Sequence, residues 1–399
     1  MKPYSFSLFF LLLIASGCAE KPNSVGNDLP GKEGEFAILY DTIVTTRVAT
    51  YRTSFSPGTG LSNLAGRIAP GEEAITLLNF IPGGTIDSLD GASIDTVELF
   101  MTVNYRYFTV PPPVLFNIVE VKGSWKQSTF MIDAMPGLPL ENSVLGTFSD
   151  TMKFASRISA QITDTAAIRR WALSYYDTSS SIPDFYGFAV RARTGDTTGM
   201  VGFSTFGNST AYVPSLFIRY TKNGRRDSLT FISGEDTYGI ISTVVPALHQ
   251  LTVRGAFGIR SKVYFNHRLL LDTVNTGTQT ILNKAVLELT LDTLASSFGG
   301  FSPDTISALL GISDTDLDKS DSTVFAFGLK KNAAAGQLRV YAFDVTKIVD
   351  RWVQSTVPNN GITLRWAAEF GTAEKAVFYS RTDSSIVKQP KLLVTYSKK

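Results

Sequence analysis

The sequence predicts an all-β protein, built as two tandem antiparallel β-sandwiches of jelly-roll-like form, each with one short helix. Three observations lead there. Runs rich in Val, Ile, Thr and aromatics recur, among them Ala37–Val48, Ala74–Phe80, Thr96–Phe108 and Val114–Val121. Several alternate apolar with polar residues, as strands buried on one face do. Clusters of turn residues separate them: "SPGTG", "APGEE", "IPGG" and "LDGAS" punctuate Ser56 to Ser93. The chain also repeats itself. "FSTFGNSTAYVPSLFIRY" (Phe203–Tyr220) and "YSRTDSSIVKQPKLLVTY" (Tyr379–Tyr396) share an aromatic-Ser pair, a proline, an apolar strand and a closing tyrosine. The offset is 176 residues at Ser204/Ser380, Pro214/Pro390 and Tyr220/Tyr396. Upstream, "AAIRRW" (Ala166–Trp171) answers "TKIVDRW" (Thr346–Trp352), "YGFAVRA" (Tyr186–Ala192) answers "NGITLRW" (Asn360–Trp366), and "TVELFM" loosely answers "AVLELTL". Matches in one order predict a tandem duplication joined near Lys222–Asp227.

The elements follow in order. Leu8–Ala15 is an unbroken apolar run behind the cation Lys2. It is shorter than the roughly 20 residues that cross a bilayer and suits a signal-peptide core. Ala15-Ser16-Gly17 then precedes Cys18, the only cysteine in 399 residues. Ile14–Cys18 resembles the lipobox of bacterial lipoproteins. That resemblance implies cleavage before Cys18, acylation of its thiol and new amino group, and anchoring in a membrane; Ala19 in place of an aspartate implies the outer membrane. The plainer alternative is a secretory signal with a stray cysteine. Residues 1–17 are thus the expected signal peptide, and 18–35, polar with Pro and Gly, a flexible tether. The first sandwich is expected over 36–222 and the second, more divergent, over 228–399.

Helical periodicity is confined to short stretches. Ile168, Trp171 and Ala172 share one face, as do Ile348, Val349 and Trp352. Each helix is expected to dock its tryptophan on a sheet. A third helix is expected at Ser302–Gly311, with a serine cap, an early proline and a glycine stop.

The first half resembles the DNRLRE-type β-sandwich module of secreted bacterial and archaeal proteins. The resemblance rests on "AITLLNFIPGGTIDSLDGASIDTVELFM", "VEVKGSWKQSTFM" with its Gly123-Ser124-Trp125 element, the helix ending at Trp171, "YGFAVRA" and "PSLFIRY". It covers most of 37–221 and more weakly 235–396. The hexapeptide naming the family is absent, and the second half lacks the G-x-W element, carrying Ser297–Ser322 between its matched strands. What the resemblance implies is fold more than activity, with a glycan ligand suggested by related carbohydrate-binding modules.

Charge and motifs exclude several functions. With residues 1–17 removed, 36 Lys+Arg face 35 Asp+Glu, which gives no basic footprint for nucleic acid. The two histidines, His249 and His267, come with no G-x-S-x-G elbow, zinc spacing or phosphate loop, so no enzyme is expected. Two constellations stand out. Asp314, Asp316 and Asp318 alternate in "SDTDLDKSDS" and could give calcium three oxygens, although Lys319 and Phe325 replace the EF-hand glycine and glutamate; a solvated acidic loop is the plainer account. Arg170 and Arg351 precede their tryptophans, and Arg191 and Arg365 sit on the following strands. Arginine beside aromatics suits an acidic sugar, by bidentate bonding and stacking; snorkelling beside core tryptophans is the alternative. Tyr105–Pro113 is a further candidate surface. Three functions remain open: a non-catalytic surface lipoprotein binding an extended polysaccharide, a structural lipoprotein docking an envelope protein, and a hydrolase or lyase on the same scaffold.

Overall fold

The computed structural model describes residues 37–82, 86–108, 113–176, 184–193, 199–207, 212–247, 250–267, 280–299, 305–330, 338–382 and 385–398. The Leu8–Cys18 segment, the tether, His249, Thr109–Pro112 and Ser302–Asp304 lie outside the described residues. The described chain is all-β with antiparallel pairing throughout, as expected. Its first strand is β1 (Ala37–Arg52). There follow β2 (Ser62–Ala69), β3 (Glu72–Phe80), β4 (Ser93–Tyr107), β5 (Val114–Val121), β6 (Leu140–Asp150), β7 (Arg157–Gln161), α1 (Thr165–Tyr176), β8 (Phe188–Ala192), β9 (Gly199–Ser204), β10 (Ser215–Lys222) and β11 (Arg225–Ser242). The second series is β12 (Leu251–Arg254), β13 (Ile259–Phe265), β14 (Thr280–Thr290), β15 (Ile306–Gly311), β16 (Ser320–Lys330), β17 (Val340–Asp344), α2 (Thr346–Val353), β18 (Ile362–Trp366), β19 (Lys375–Phe378) and β20 (Lys391–Lys398).

The repeat in sequence is a repeat in strand order. In the second series β1-β20-β14-β17-β16-β15-β18-β13 runs side by side and returns to β1, a closed eight-strand ring; β12 adds to β13, and β19 to β12. The first series runs in the same order: β11-β10-β4-β7, then β6 through the Gly146–Ile162 bridge, then β5-β8-β3 and back to β11. Here β2 and β9 occupy the places of β12 and β19. The odd member is β1. It is the first described strand, yet it fills in the second ring the position that β11 fills in the first.

Rings rather than open sandwiches arise because β1 and β11 are long and kinked. The N-terminal half of β1 pairs with β20 and the C-terminal half with β13; β11 divides likewise between β10 and β3. The ladder shifts register at Thr45/Arg47 in β1 and at Ser233/Glu235 in β11. A bulge bends and twists its strand, so each lets one strand turn a corner and join both edges of its sheet.

The two helices dock as their periodicity predicts. Ile168, Trp171 and Ala172 of α1, and Ile348, Val349 and Trp352 of α2, are buried in the cores of their rings. Trp171 donates its Nε1–H to the Phe80 carbonyl at 3.2 Å, whereas the Trp352 Nε1 is buried without a partner. The strands after the helices open on equivalent glycines, Gly187 (φ +104°) and Gly361 (φ +82°). A Cβ there would sit 2.3 Å from the Leu78 carbonyl oxygen and 2.7 Å from that of Val263. The third expected helix is corrected. Ile306–Gly311 forms β15, fully buried between β16 and β18. A short apolar run satisfies either period, and here the ring takes it as a strand.

A third core joins the rings. Tyr105, Tyr107, Met200 and Tyr238 from the first pack against Ala256, Phe257, Ile259 and Ala373 from the second. Across this seam Arg254 makes a buried, two-armed ion pair with Glu72 at 2.5 and 3.0 Å. The Tyr238 hydroxyl donates to the Phe370 carbonyl at 2.9 Å, and the Tyr105 hydroxyl accepts from the Ala373 amide at 2.8 Å.

Candidate functional site

The outer face of the second ring is where charge and aromatic surface converge. In β13, Val263 and Phe265 enter the core, so alternation turns Arg260, Lys262 and Tyr264 outward. Arg47, Ala49 and Tyr51 of β1 lie opposite Tyr264, Lys262 and Arg260. On the other flank Ser261 pairs with Leu364, and the next position of that register sets Arg260 beside Arg365. Ser307 of β15 then pairs with Arg365 and with Phe327 of β16, and Leu309 pairs with Thr363 and Phe325. One cross-strand row thus reads Phe327, Ser307, Arg365, Arg260, Tyr51, and the next Phe325, Leu309, Thr363, Lys262, Ala49.

The loop Ser313–Lys319 folds over one end of this face. Asp314 pairs with Arg47, whose guanidinium lies 3.8 Å from the centroid of the Tyr264 ring. Lys262, wholly buried, donates to the Ser313 carbonyl at 2.5 Å. Arg260 grips Glu369 with Nε at 2.9 Å and Nη2 at 2.6 Å, and also bonds Asp318, which accepts from Thr53 Oγ1 at 2.8 Å. Burial lowers the Lys262 pKa despite the nearby aspartates. Burial, and to a lesser degree Asp314, push the Tyr264 phenol up to about 12 against the opposing pull of Arg47.

The three aspartates that could together have served calcium do not converge on one point. Asp314 and Asp318 turn to arginines, Asp316 accepts the Asp318 amide, and no metal-ligand cluster occurs among the described residues. The four arginines part company. Arg170 bonds Glu120 at 2.9 Å, and Arg191 bonds Glu73 through two atoms at 3.3 Å. Arg351 is exposed at the end of α2. Arg365, half-buried, makes no ion pair among the described residues and joins the face just described. His267 lies near Trp352, its Nδ1 2.9 Å from Asn359 Nδ2.

Comparison with family models, curated proteins and solved structures finds no match. The site therefore has to be argued from its own residues. Arg47, Arg260, Lys262 and Tyr264 had a signal in the sequence: "IRSKVYF" and "RVATYR" place basic and aromatic residues two or four apart in strand-forming runs, which sets them on one face. What hides it is that such alternation ordinarily marks a solvated surface.

Two clefts flank the seam between the rings. One, of about 320 Å³, is bounded by Leu61, Asn104, Tyr105 and Phe370; the other, of about 530 Å³, by Tyr107, Glu72, Arg254 and Lys375. Glu374 is fully buried nearby, and its carboxylate oxygens make no well-aligned hydrogen bond among the described residues. Its pKa is raised, chiefly by burial and against the partial offset of the surrounding amide and the Tyr105 and Thr372 hydroxyls; Asp236 in β11 is raised by burial too. A carboxyl whose pKa is higher folded than unfolded makes the native state the tighter proton binder. Stability then falls as pH climbs from the unfolded value through the folded one. Glu374→Gln is expected to leave the melting temperature nearly unchanged at about pH 4 and to raise it at about pH 8. Parallel melting curves of wild type and variant at both pH values check this; equal curves at the higher pH refute it.

Proposed function

We propose that the protein is a non-catalytic lipoprotein, anchored at the outer membrane through acylated Cys18, whose paired jelly-roll-like units, related to DNRLRE-type modules, bind an acidic polysaccharide. The observation that carries this reading is the row Phe327, Ser307, Arg365, Arg260, Tyr51 on the outer face of the second ring. It sets a guanidinium with no ion pair among the described residues in line with the exposed ring of Phe327, across Ser307, and beside the buried cation Arg260. Along the strands the cations at Arg260, Lys262 and Arg47 recur every roughly 7 Å and span roughly 13 Å, a repeat that favours an extended polyanion over a compact ligand. Guanidinium groups bind carboxylates in a planar fork, and rings supply stacking surface for sugars.

The test is affinity electrophoresis of the full-length chain in detergent through gels containing polygalacturonate or a neutral glucan. Retardation by the acidic polymer alone is expected, and Arg365→Ala is expected to weaken it about fivefold, the equivalent of ~1 kcal/mol. Equal retardation of wild type and Arg365→Ala would remove the face from consideration. A gain on adding calcium would instead assign Asp314, Asp316 and Asp318 to a metal. A second reading, docking of an envelope protein, draws on the apolar stripe of β16, where Phe325, Phe327 and Leu329 are 47%, 51% and 73% exposed. No retardation on any polymer, together with a co-purifying envelope protein lost in Leu329→Asp, would favour it.

A further inference from the structure

Three cations of the second ring's outer face, Arg47, Arg260 and Lys262, are already engaged by carboxylates and a carbonyl from the chain itself. In the first ring the equivalent connection, between β5 and β6, seals an apolar face with Phe130 and Met135, and with Trp125 packed against them. In the second, the connection between β15 and β16 carries Asp314 and Asp318 onto a basic one. We infer that the Ser313–Lys319 loop is a built-in occupant of the anion site, Asp314 holding on Arg47 the place of a ligand carboxylate, so that an acidic polymer binds by displacing it. This rests on the polysaccharide reading above and names how that same site is regulated.

The two ends of the loop differ in how firmly they are held. Asp318 reaches Arg260, whose side chain is 9% exposed and already fixed by Glu369, and it accepts a further bond from Thr53. Asp318 itself is 42% exposed, but it is held twice, by a guanidinium that Glu369 fixes in place and by the Thr53 hydroxyl, whereas the other end has one ion pair, so this end is a pin. At the other end the side chains of Arg47 and Asp314 are 53% and 55% exposed. Exposed pairs of this kind contribute little and are screened by salt. The loop can therefore release Arg47 and turn about the Asp318 pin without unmaking the core. Release frees the guanidinium stacked on Tyr264 and uncovers Lys262 as Ser313 departs. A polymer with carboxylates in series can take both cations at once, which the single Asp314 carboxylate does not.

The experiment compares wild type, Asp314→Asn, Arg47→Ala and, as a control for net charge, Asp227→Asn on the other ring, in polygalacturonate gels at fixed ionic strength. Asp314→Asn is expected to bind about fivefold more tightly than wild type, Arg47→Ala to bind more weakly, and Asp227→Asn to match wild type. Binding by Asp314→Asn alone would equally support the inference. Unchanged or weaker binding by Asp314→Asn, with Arg365→Ala still weakening it, would overturn the loop's role and leave the site standing. An equal gain in Asp227→Asn would reduce the effect to net charge and overturn the inference. Absence of retardation for both wild type and Asp314→Asn would overturn this inference and the polysaccharide reading together.

Discussion

A chain lacking Ala37–Arg52 is expected to keep its first ring folded and to lose the second. β1 supplies eight register pairs with β20 and seven with β13, and it buries Ile43 and Val48 in the second core. Without it the ring is open, with unpaired edges on β13 and β20 and a slot into the core. Burying two aliphatic side chains alone is worth about 3–6 kcal/mol. Adding the ladder brings the loss to the order of a domain's whole stability, ~5–15 kcal/mol. The first ring draws every one of its ring strands from β2–β11 and has no such dependence, apart from the shared seam. Limited proteolysis should therefore degrade the region from about residue 250 onward and spare the rest. Adding a synthetic Ala37–Arg52 peptide should restore protection in a saturable way. A deletion variant that melts in one transition at the wild-type temperature would show that β1 is dispensable.

Arg260→Leu is expected to cost about 3–5 kcal/mol, the range for a buried charge stripped of its partner. Arg260 and Glu369 are 7% and 3% exposed, and the variant leaves Glu369 buried with no counter-charge while releasing Asp318. Burial pulls the guanidinium pKa down, but the bonds and charge of Glu369 and the charge of Asp318 outweigh it, so Arg260 stays charged in the fold. The contrast with Arg47→Ala is informative, because that exposed pair should contribute under about 1 kcal/mol. The double variant Arg260→Met/Glu369→Leu is expected to recover most of the loss, since the penalty lies in the stranded acid. Denaturant midpoints of the three variants decide it. Similar midpoints for Arg260→Leu and Arg47→Ala would mean that water reaches Glu369.

How much of this was legible beforehand depends on the range of the interaction. The strands, the two docked tryptophan helices and the duplication were local or periodic signals, and they reappear at Trp171 and Trp352, and at Gly187 and Gly361. The turn of β15 from helix to strand was a tertiary choice, made by pairing with β16 and β18 over a run too short to declare its period. Ring closure was hidden because the partners of β1 lie far along the chain, and a bulge at Thr45/Arg47 carries no mark in composition. At the candidate site, Arg365 was visible as a repeat of Arg191, but their fates differ: Glu73 of β3 captures Arg191, while Arg365 has Ser307 beside it and no counter-charge among the described residues. Arg260 and Lys262 were passed over because a cation in a strand is ordinarily at the surface, and only Glu369 and the acidic loop make their burial tolerable.

The closure of the second ring also sets an order of events. Ala37 pairs with Lys398, so everything between β1 and β20 must be synthesised before β1 meets its second neighbour. Contacts this distant are slow to form, because the entropy of closing the loop comes before any reward. During that interval β1 is a solvent-exposed strand with Ile43 and Val48 uncovered, and its future neighbours wait with open edges. Such edges recruit other chains. The vulnerable period is thus the delay between β1 and β20, and a chain stalled or clipped before β20 would present to its neighbours the surface that the finished ring conceals.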